Sequence, residues 1–449
     1  MKLVRFLIVI LLASASLTAG SQRIVSESAV GKYDAQHWVL SNGIHVYVKH
    51  TTASPGRIVI AGEAPGGFSV NYRADDASSL KVMNAVMMMS GAGGKTAREL
   101  GAMLRADSAT MRTSVEKTSE GFNGTCRQEG LETALSVMRM RVTAPQIDTA
   151  AVNRYLKSQK EQMSKRDDPK FAFADSIFAY VFDHHPVGSE KISLWDLDHI
   201  DTDRILAVYK DRFKDLSDLR VFIVGDYDEE TLKRLVVEYI ATLPCAGRIE
   251  KPRDIGFHLF RGNETKRFTA KMTLPVDKIY YFWTARAEYS LKSTLVAKMA
   301  GRIMSDLWLQ KLRQKEWAKH IDTHCSVVDA QNADDDPVIF FPLNVTLPAG
   351  KADAASKLVI KALRKMAQTG PTQEQLDEQK RYCKQSHDES LKSNRHWMGI
   401  LQNYVYNQLD FEENYEGELD SITPDDIRLF LKDLLENGHQ LHLVMTPEQ

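Results

Sequence analysis

Residues 200–224 read IDTDRILAVYKDRFKDLSDLRVFIV, and residues 422–444 read ITPDDIRLFLKDLLENGHQLHLV. Both begin on a short Ile-to-Ile segment rich in Asp and Thr, continue with helical apolar spacing, and end in an apolar strand. The first helix spans Asp201 to Phe213, and its strand, Leu219 to Val224, is stopped by Gly225-Asp226. In the second copy the helix covers Asp425 to Leu435 and the strand Leu441 to Val444. The offset is about 220 residues at the helix and again at the strand. A second pair agrees with it. Thr143-Ala144-Pro145 precedes a Lys- and Gln-rich helix from Ile147 to Lys165, and Gly370-Pro371 precedes another from Thr372 to Ser390. Two matched points at one offset indicate a duplicated α+β domain.

The rest of the chain fits two such units. Its 449 residues exceed one ordinary core and suggest two domains of roughly 200 residues. Lys and Arg (58) balance Asp and Glu (59), so no excess positive field recommends nucleic acid as a partner. Lys2 and Arg5 precede the apolar run Phe6 to Ala13, and small residues follow to Gly20. That order is a secretory signal peptide over residues 1–20, with an apolar run too short to span a bilayer comfortably. Cys126, Cys245, Cys325 and Cys383 are widely spaced without C-x-x-C. They build no zinc knuckle and are expected as unpaired, mostly buried thiols.

In the first unit, residues 35–250, Trp38 to Val48 form two strands about Ser41-Asn42-Gly43, and Arg57 to Ala64 a third. Helices cover Asp75 to Ser90, Thr96 to Leu104, Glu129 to Arg141, Ile147 to Lys165 and Ala172 to Phe182, with a β pair at Ala109 to Val115 and Gly121 to Cys126. Glu229 to Thr242 closes the unit. Pro244 to Asn263 reads as the linker. The second unit, residues 262–449, has strands at Thr269 to Leu274 and Ile279 to Thr284, then a long helix from Tyr289 to Arg313. Strands near Ile321 to Val327 and at Val338 to Leu347 follow, then helices at Ala352 to Ala367, Thr372 to Ser390 and Met398 to Gln408. The expected fold is α+β: two tandem homologous domains, each a mixed or antiparallel sheet with helices packed on one face.

The long helix ends in LWLQKLRQKEWAKHIDTHCSV, residues 307–327. With Leu312-Arg313 here, Trp38-x-Leu40-Ser41-Asn42-Gly43 at the start, His185-Pro-Val-Gly188, Tyr209-Lys-Asp-Arg-Phe213 and Val221 to Asp226, nearly all of residues 35–445 resembles the insulinase/pitrilysin family of zinc metallopeptidases. The resemblance implies that Arg313 binds substrate, and that His320, seven residues on, stands where the family has a second substrate-binding residue, a Tyr. It also implies a zinc site H-x-x-E-H on the first helix after the opening strands, with a further Glu downstream. Registering Gly91 against the family puts Val82, Ala85 and Val86 at the His, Glu and His positions, and no His or Glu occurs between Asp75 and Ser90. Those side chains hold no metal. Glu161 falls near the distant Glu position and otherwise reads as a solvated residue of a charged helix.

Other histidines are candidate ligands. His184-His185 and His199 fit a turn better than a metal site. His320 and His324 on one strand would lie about 13 Å apart, too far to chelate one ion. Met87-Met88-Met89 reads as core filler. Asn123, Asn263 and Asn344 open glycosylation sequons that matter only where secretion passes through an endoplasmic reticulum. The resemblance therefore implies a non-catalytic half-chamber with no metal or cofactor of its own. It would be exported, periplasmic or extracellular, without a stable membrane span, and would bind peptide substrate for a zinc-bearing insulinase-family subunit. Two alternatives stand beside it: an active zinc peptidase of the same family, or a binding and assembly protein that kept the fold.

Overall fold

The structure, a computed structural model, describes residues 22–31, 33–165, 173, 177–187, 192–329 and 336–448. The residues expected as a signal peptide, Gly188 and part of the expected helix at 172–182 lie outside these residues. Two sheets carry the fold, and each forms as its sequence suggests. In the first, β1 (Ile24–Val30), β2 (Ala35–Leu40), β3 (His45–His50), β4 (Ile58–Pro65), β5 (Thr110–Val115), β6 (Ser119–Cys126) and β7 (Arg220–Gly225) lie in the order β1-β2-β3-β7-β4-β6-β5. Gly43, at φ +89°, closes the β2–β3 turn, a conformation that suits a residue without Cβ. The β7 sequence RVFIVG does not alternate, because both of its faces are covered. Val221 and Ile223 enter the main core, while Phe222 and Val224 face the other side of the sheet.

The second sheet repeats this plan. β8 (Asn263–Ala270), β13 (His439–Pro447), β9 (Val276–Arg286) and β12 (Val338–Pro348) lie side by side, and β10 (Asp322–Thr323) and β11 (Ser326–Val328) both pair with β12. β7 is parallel to β3 and antiparallel to β4; β13 is parallel to β8 and antiparallel to β9. The two late strands of the internal repeat thus fill the same slot in their sheets. Helices bury the inner faces. Over the first sheet lie α1 (Ala77–Met89), α2 (Ala97–Ala106), α3 (Leu131–Thr143), α4 (Thr149–Met163), α5 (Leu194–Asp198), α6 (Thr202–Phe213) and α7 (Glu229–Tyr239). The second half adds α8 (Leu291–Arg313), α9 (Ala352–Thr369), α10 (Gln373–Ser390), α11 (Asn394–Asn407), α12 (Tyr415–Ser421) and α13 (Pro424–Glu436).

The outer faces are covered reciprocally. Met398, Ile400 and Leu401 of α11 pack on Phe222 and Val224 of the first sheet. Phe173, Ile177 and Val181, from the first half, pack on Phe282, Leu441 and Leu443 of the second. Each half therefore lends apolar surface to the other's sheet.

Three expectations need correction. The strand expected at Thr269 to Leu274 runs over Asn263–Ala270, because parallel pairing with β13 sets its register and its polar sequence, NETKRFTA, hides it. The strand expected near Ile321 to Val327 is divided in two, since the backbone dips at Cys325 toward α8. A Cβ added at Gly301 would stand 2.7 Å from Cys325. The helix expected from Met398 starts at Asn394, and the short edge strand β1 with its mostly exposed residues gave no apolar pattern to read. All four cysteines are free thiols, three of them buried.

Candidate functional site

The helix that would carry a zinc motif is α1, and its middle turns are occupied. Val82 is 2% exposed and Val86 fully buried; both belong to the main core, while Ala85 is exposed. The polar residues beside them are engaged by the protein itself. Asn84 meets the backbone of Val115 at the end of the edge strand β5, with Val115 N donating to Oδ1 at 2.9 Å and Nδ2 donating to the carbonyl at 3.2 Å. Lys81 is paired with Asp196 at 3.1 Å. Asp196 also accepts from Ser78 Oγ at 2.7 Å and from the Ser193 backbone and hydroxyl, both at 2.7 Å. Burial alone would raise its carboxyl. The hydrogen bonds from Ser193 and Ser78 and the charge of Lys81 outweigh burial and hold it below the usual carboxylate range. Glu161, on α4, is exposed beside Lys157 four residues earlier, as a solvated helix face would have it.

Arg313 is the last residue of α8, and the chain reverses there through Glu316 at φ +60°. Trp317 N returns to the Leu312 carbonyl at 3.0 Å, a helix-ending turn that satisfies a terminal C=O. The Arg313 guanidinium reaches over this turn and donates from Nη2 to the Lys319 carbonyl at 3.0 Å. That carbonyl belongs to the peptide joining Lys319 to His320, so the arginine and the histidine are brought to one turn. Both side chains are exposed. No ion pair joins Arg313 to Glu316 among the described residues.

His185 and His199 fall into structural roles. His185 Nε2 is 3.0 Å from the Ile255 carbonyl and its Nδ1 accepts from Val187 N at 3.3 Å, so it staples its own turn. His199 stacks on Trp195 and lies 2.7 Å from that residue's carbonyl. Three side chains that no sequence signal connects do converge: His387 on α10, His396 on α11 and Glu412 in the loop before α12. Their ligating atoms lie within 4.8 Å of one another. The spacings of nine and sixteen residues match no ligand pattern, and only the helix hairpin brings them together.

Residues 199–383 match the family model described as the peptidase M16 inactive domain. The probable zinc protease PqqL of Haemophilus influenzae is 20% identical over 233 residues, which are 52% of this chain and 25% of that protein. The periplasmic protease PqqL of Escherichia coli superposes with a TM-score of 0.79 at 17% identity, over 97% of this chain and 48% of that one. A peptidase M16 inactive domain from Pseudomonas fluorescens superposes with a TM-score of 0.69 at 16% identity, covering 93% of this chain and 99% of that one. The chain thus spans about half the length of the E. coli protease and matches a quarter of the Haemophilus protein. Residues 199–383 thus match the M16 inactive-domain model, the whole chain has the fold of M16 peptidase structures, and its sequence contains no H-x-x-E-H motif.

Proposed function

We propose that this chain is the half-chamber without the catalytic zinc site in an exported insulinase-type peptidase, presenting peptide to a partner half that carries that site. The observation that carries the reading is the state of α1. Its three motif positions hold Val82, Ala85 and Val86, and two of them are core residues. No lone pair is available there to bind zinc or to activate water. Arg313 and His320 supply substrate contacts in this reading. The guanidinium uses one donor on Lys319 and keeps others for a peptide carbonyl, and an imidazole can donate one hydrogen bond where the family has a phenol. Export is supported by the charged and apolar start of the sequence and by the description of the E. coli relative as periplasmic. Among the described residues no helix is long and apolar enough to cross a membrane.

The partner is a family member with H-x-x-E-H, on a separate chain. Affinity capture of the full-length protein from its native host tests this. Recovery of such a zinc-bearing chain in stoichiometric amount is expected; recovery of this chain alone, in every fraction, would overturn the pairing.

A further inference from the structure

The group His387, His396 and Glu412 is used by nothing described so far. Nε2 of His387 is 2.9 Å from Glu412 Oε2, and Nε2 of His396 is 2.9 Å from Glu412 Oε1. Both imidazoles thus aim the same ring nitrogen at one carboxylate. The three side chains are only 13%, 19% and 16% exposed, so they are shielded yet reachable from solvent. Each is held by something else. His387 stacks face to face on Tyr415 with ring centroids 3.7 Å apart, and His396 lies edge-on to Trp397. The loop bearing Glu412 is fixed by Asp410 Oδ1, which accepts from the backbone N–H of Glu412 and of Glu413.

We propose that His387, His396 and Glu412 form a site for a divalent transition-metal ion, of which zinc is the representative. Two imidazoles and a carboxylate with one position left open are a donor set that zinc accepts. Bonds of about 2.0–2.2 Å from one tetrahedral ion to these atoms need ligand separations of about 3.3–3.5 Å. The present spacings, 2.9 Å between each nitrogen and its oxygen and no more than 4.8 Å across the group, bracket that range. On binding, each Nε2 turns its lone pair to the ion, its proton leaves for the other ring nitrogen or solvent, and the carboxylate trades two hydrogen bonds for a metal bond.

The site is remote in sequence from α1 and independent of peptidase chemistry. Its place in the fold suggests its consequence. α10 belongs to the second half, whereas α11 crosses to the first sheet, where Asn394 Nδ2 donates to the Arg57 carbonyl at 2.7 Å and Leu401 packs beside Phe222. An ion joining α10, α11 and the following loop would fix the joint from which α11 departs. Metal occupancy would therefore tighten the attachment between the two halves.

The test uses the full chain, stripped with chelator and titrated with Zn²⁺ alone by calorimetry, and with Co²⁺ by visible absorption. One Zn²⁺ per chain is expected, with intense cobalt bands of tetrahedral type and a rise in Tm on adding zinc. His387→Ala and His396→Ala should each weaken binding by at least about tenfold. His396→Gln, which keeps a hydrogen-bond donor for Glu412, guards against loss of folding and should weaken binding equally. His50→Ala, at an exposed histidine elsewhere, should leave it unchanged. Absence of saturable binding to the wild-type chain, or binding undiminished in a folded His396→Gln variant, would overturn the site and leave a plain His–Glu–His hydrogen-bond network. Hydrolysis plays no part in these readouts, so the half-chamber reading stands or falls separately.

Discussion

Asn84 on α1 meets Val115 on β5 through both of that residue's backbone polar groups, accepting from its N–H at 2.9 Å and donating to its carbonyl at 3.2 Å. One amide side chain thus does for the end of an edge strand what another strand would do, and it ties the zinc-less helix to the sheet. Each neutral hydrogen bond contributes about 0.5–1.5 kcal/mol. Asn84→Ala should lower the unfolding free energy by about 1–2 kcal/mol in urea titration. No change in the midpoint would show that water replaces the amide at no cost.

Rebuilding the motif positions should fail for a structural reason. Val82 and Val86 are core residues, so Val82→His/Val86→His buries two imidazoles among apolar neighbours. An unpartnered buried polar group costs about 1–3 kcal/mol by mutational measures. We expect the double variant to be at least about 2 kcal/mol less stable than wild type, and that gap to persist when both proteins are saturated with zinc. A gap closed by zinc would mean that the two positions can be turned into a metal site.

The sequence made the late strands and helices of both halves legible because each carries an uninterrupted apolar signal. Val221 to Val224 and Leu441 to Val444 are buried on both faces and read as such. The bounds of β8 are not legible because its exposed, polar residues have no periodicity and its position is set by β13, which lies more than 150 residues away. The exchange of α11 and of Phe173, Ile177 and Val181 between halves is invisible in the sequence, since an apolar stripe does not say which sheet it covers. The same holds for the site residues. Arg313, whose substrate role is proposed, is singled out by a family resemblance, whereas His387, His396 and Glu412 are brought together by a helix hairpin that no spacing rule describes.

His442 sets a pH dependence. It faces inward from β13, stacks on Tyr281 with centroids 4.0 Å apart, and lies 3.1 Å from Ser356 Oγ. Burial, helped by the charge of Arg267, pushes its imidazole down to about 4. An unfolded chain takes up this proton near pH 6.5. Between those values the unfolded state binds more protons, so stability rises with pH and is lost as pH falls from about 6.5 toward 4. At about 1.4 kcal/mol per unit, the loss should approach about 3 kcal/mol. His442→Gln should flatten the stability curve in this window, as read by denaturant titration at several pH values. An equally steep curve in the variant would assign the dependence to other groups.

Arg313 and His320 are the residues on which substrate binding is proposed to rest. Hydrogen bonds from a charged donor contribute about 1.5–3 kcal/mol, so Arg313→Ala should slow peptide cleavage by the assembled peptidase by about ten- to a hundredfold. Folding should change little, by about 0.5 kcal/mol, because the side chain is exposed and holds one turn. His320→Tyr should preserve or raise turnover. Unchanged turnover with Arg313→Ala, together with loss of turnover in His320→Tyr, would show that the wrong pair was assigned.

The central claim, that this is a half which binds peptide and leaves hydrolysis to a partner, is tested most directly by one cleavage assay. The zinc-saturated chain is incubated with an unfolded polypeptide, alone and after mixing with the H-x-x-E-H family member captured from the same host. No hydrolysis by the chain alone is expected, and hydrolysis by the mixture should be well above that of the zinc-bearing member by itself. Turnover by this chain alone, abolished by chelation and restored by zinc, would contradict the claim.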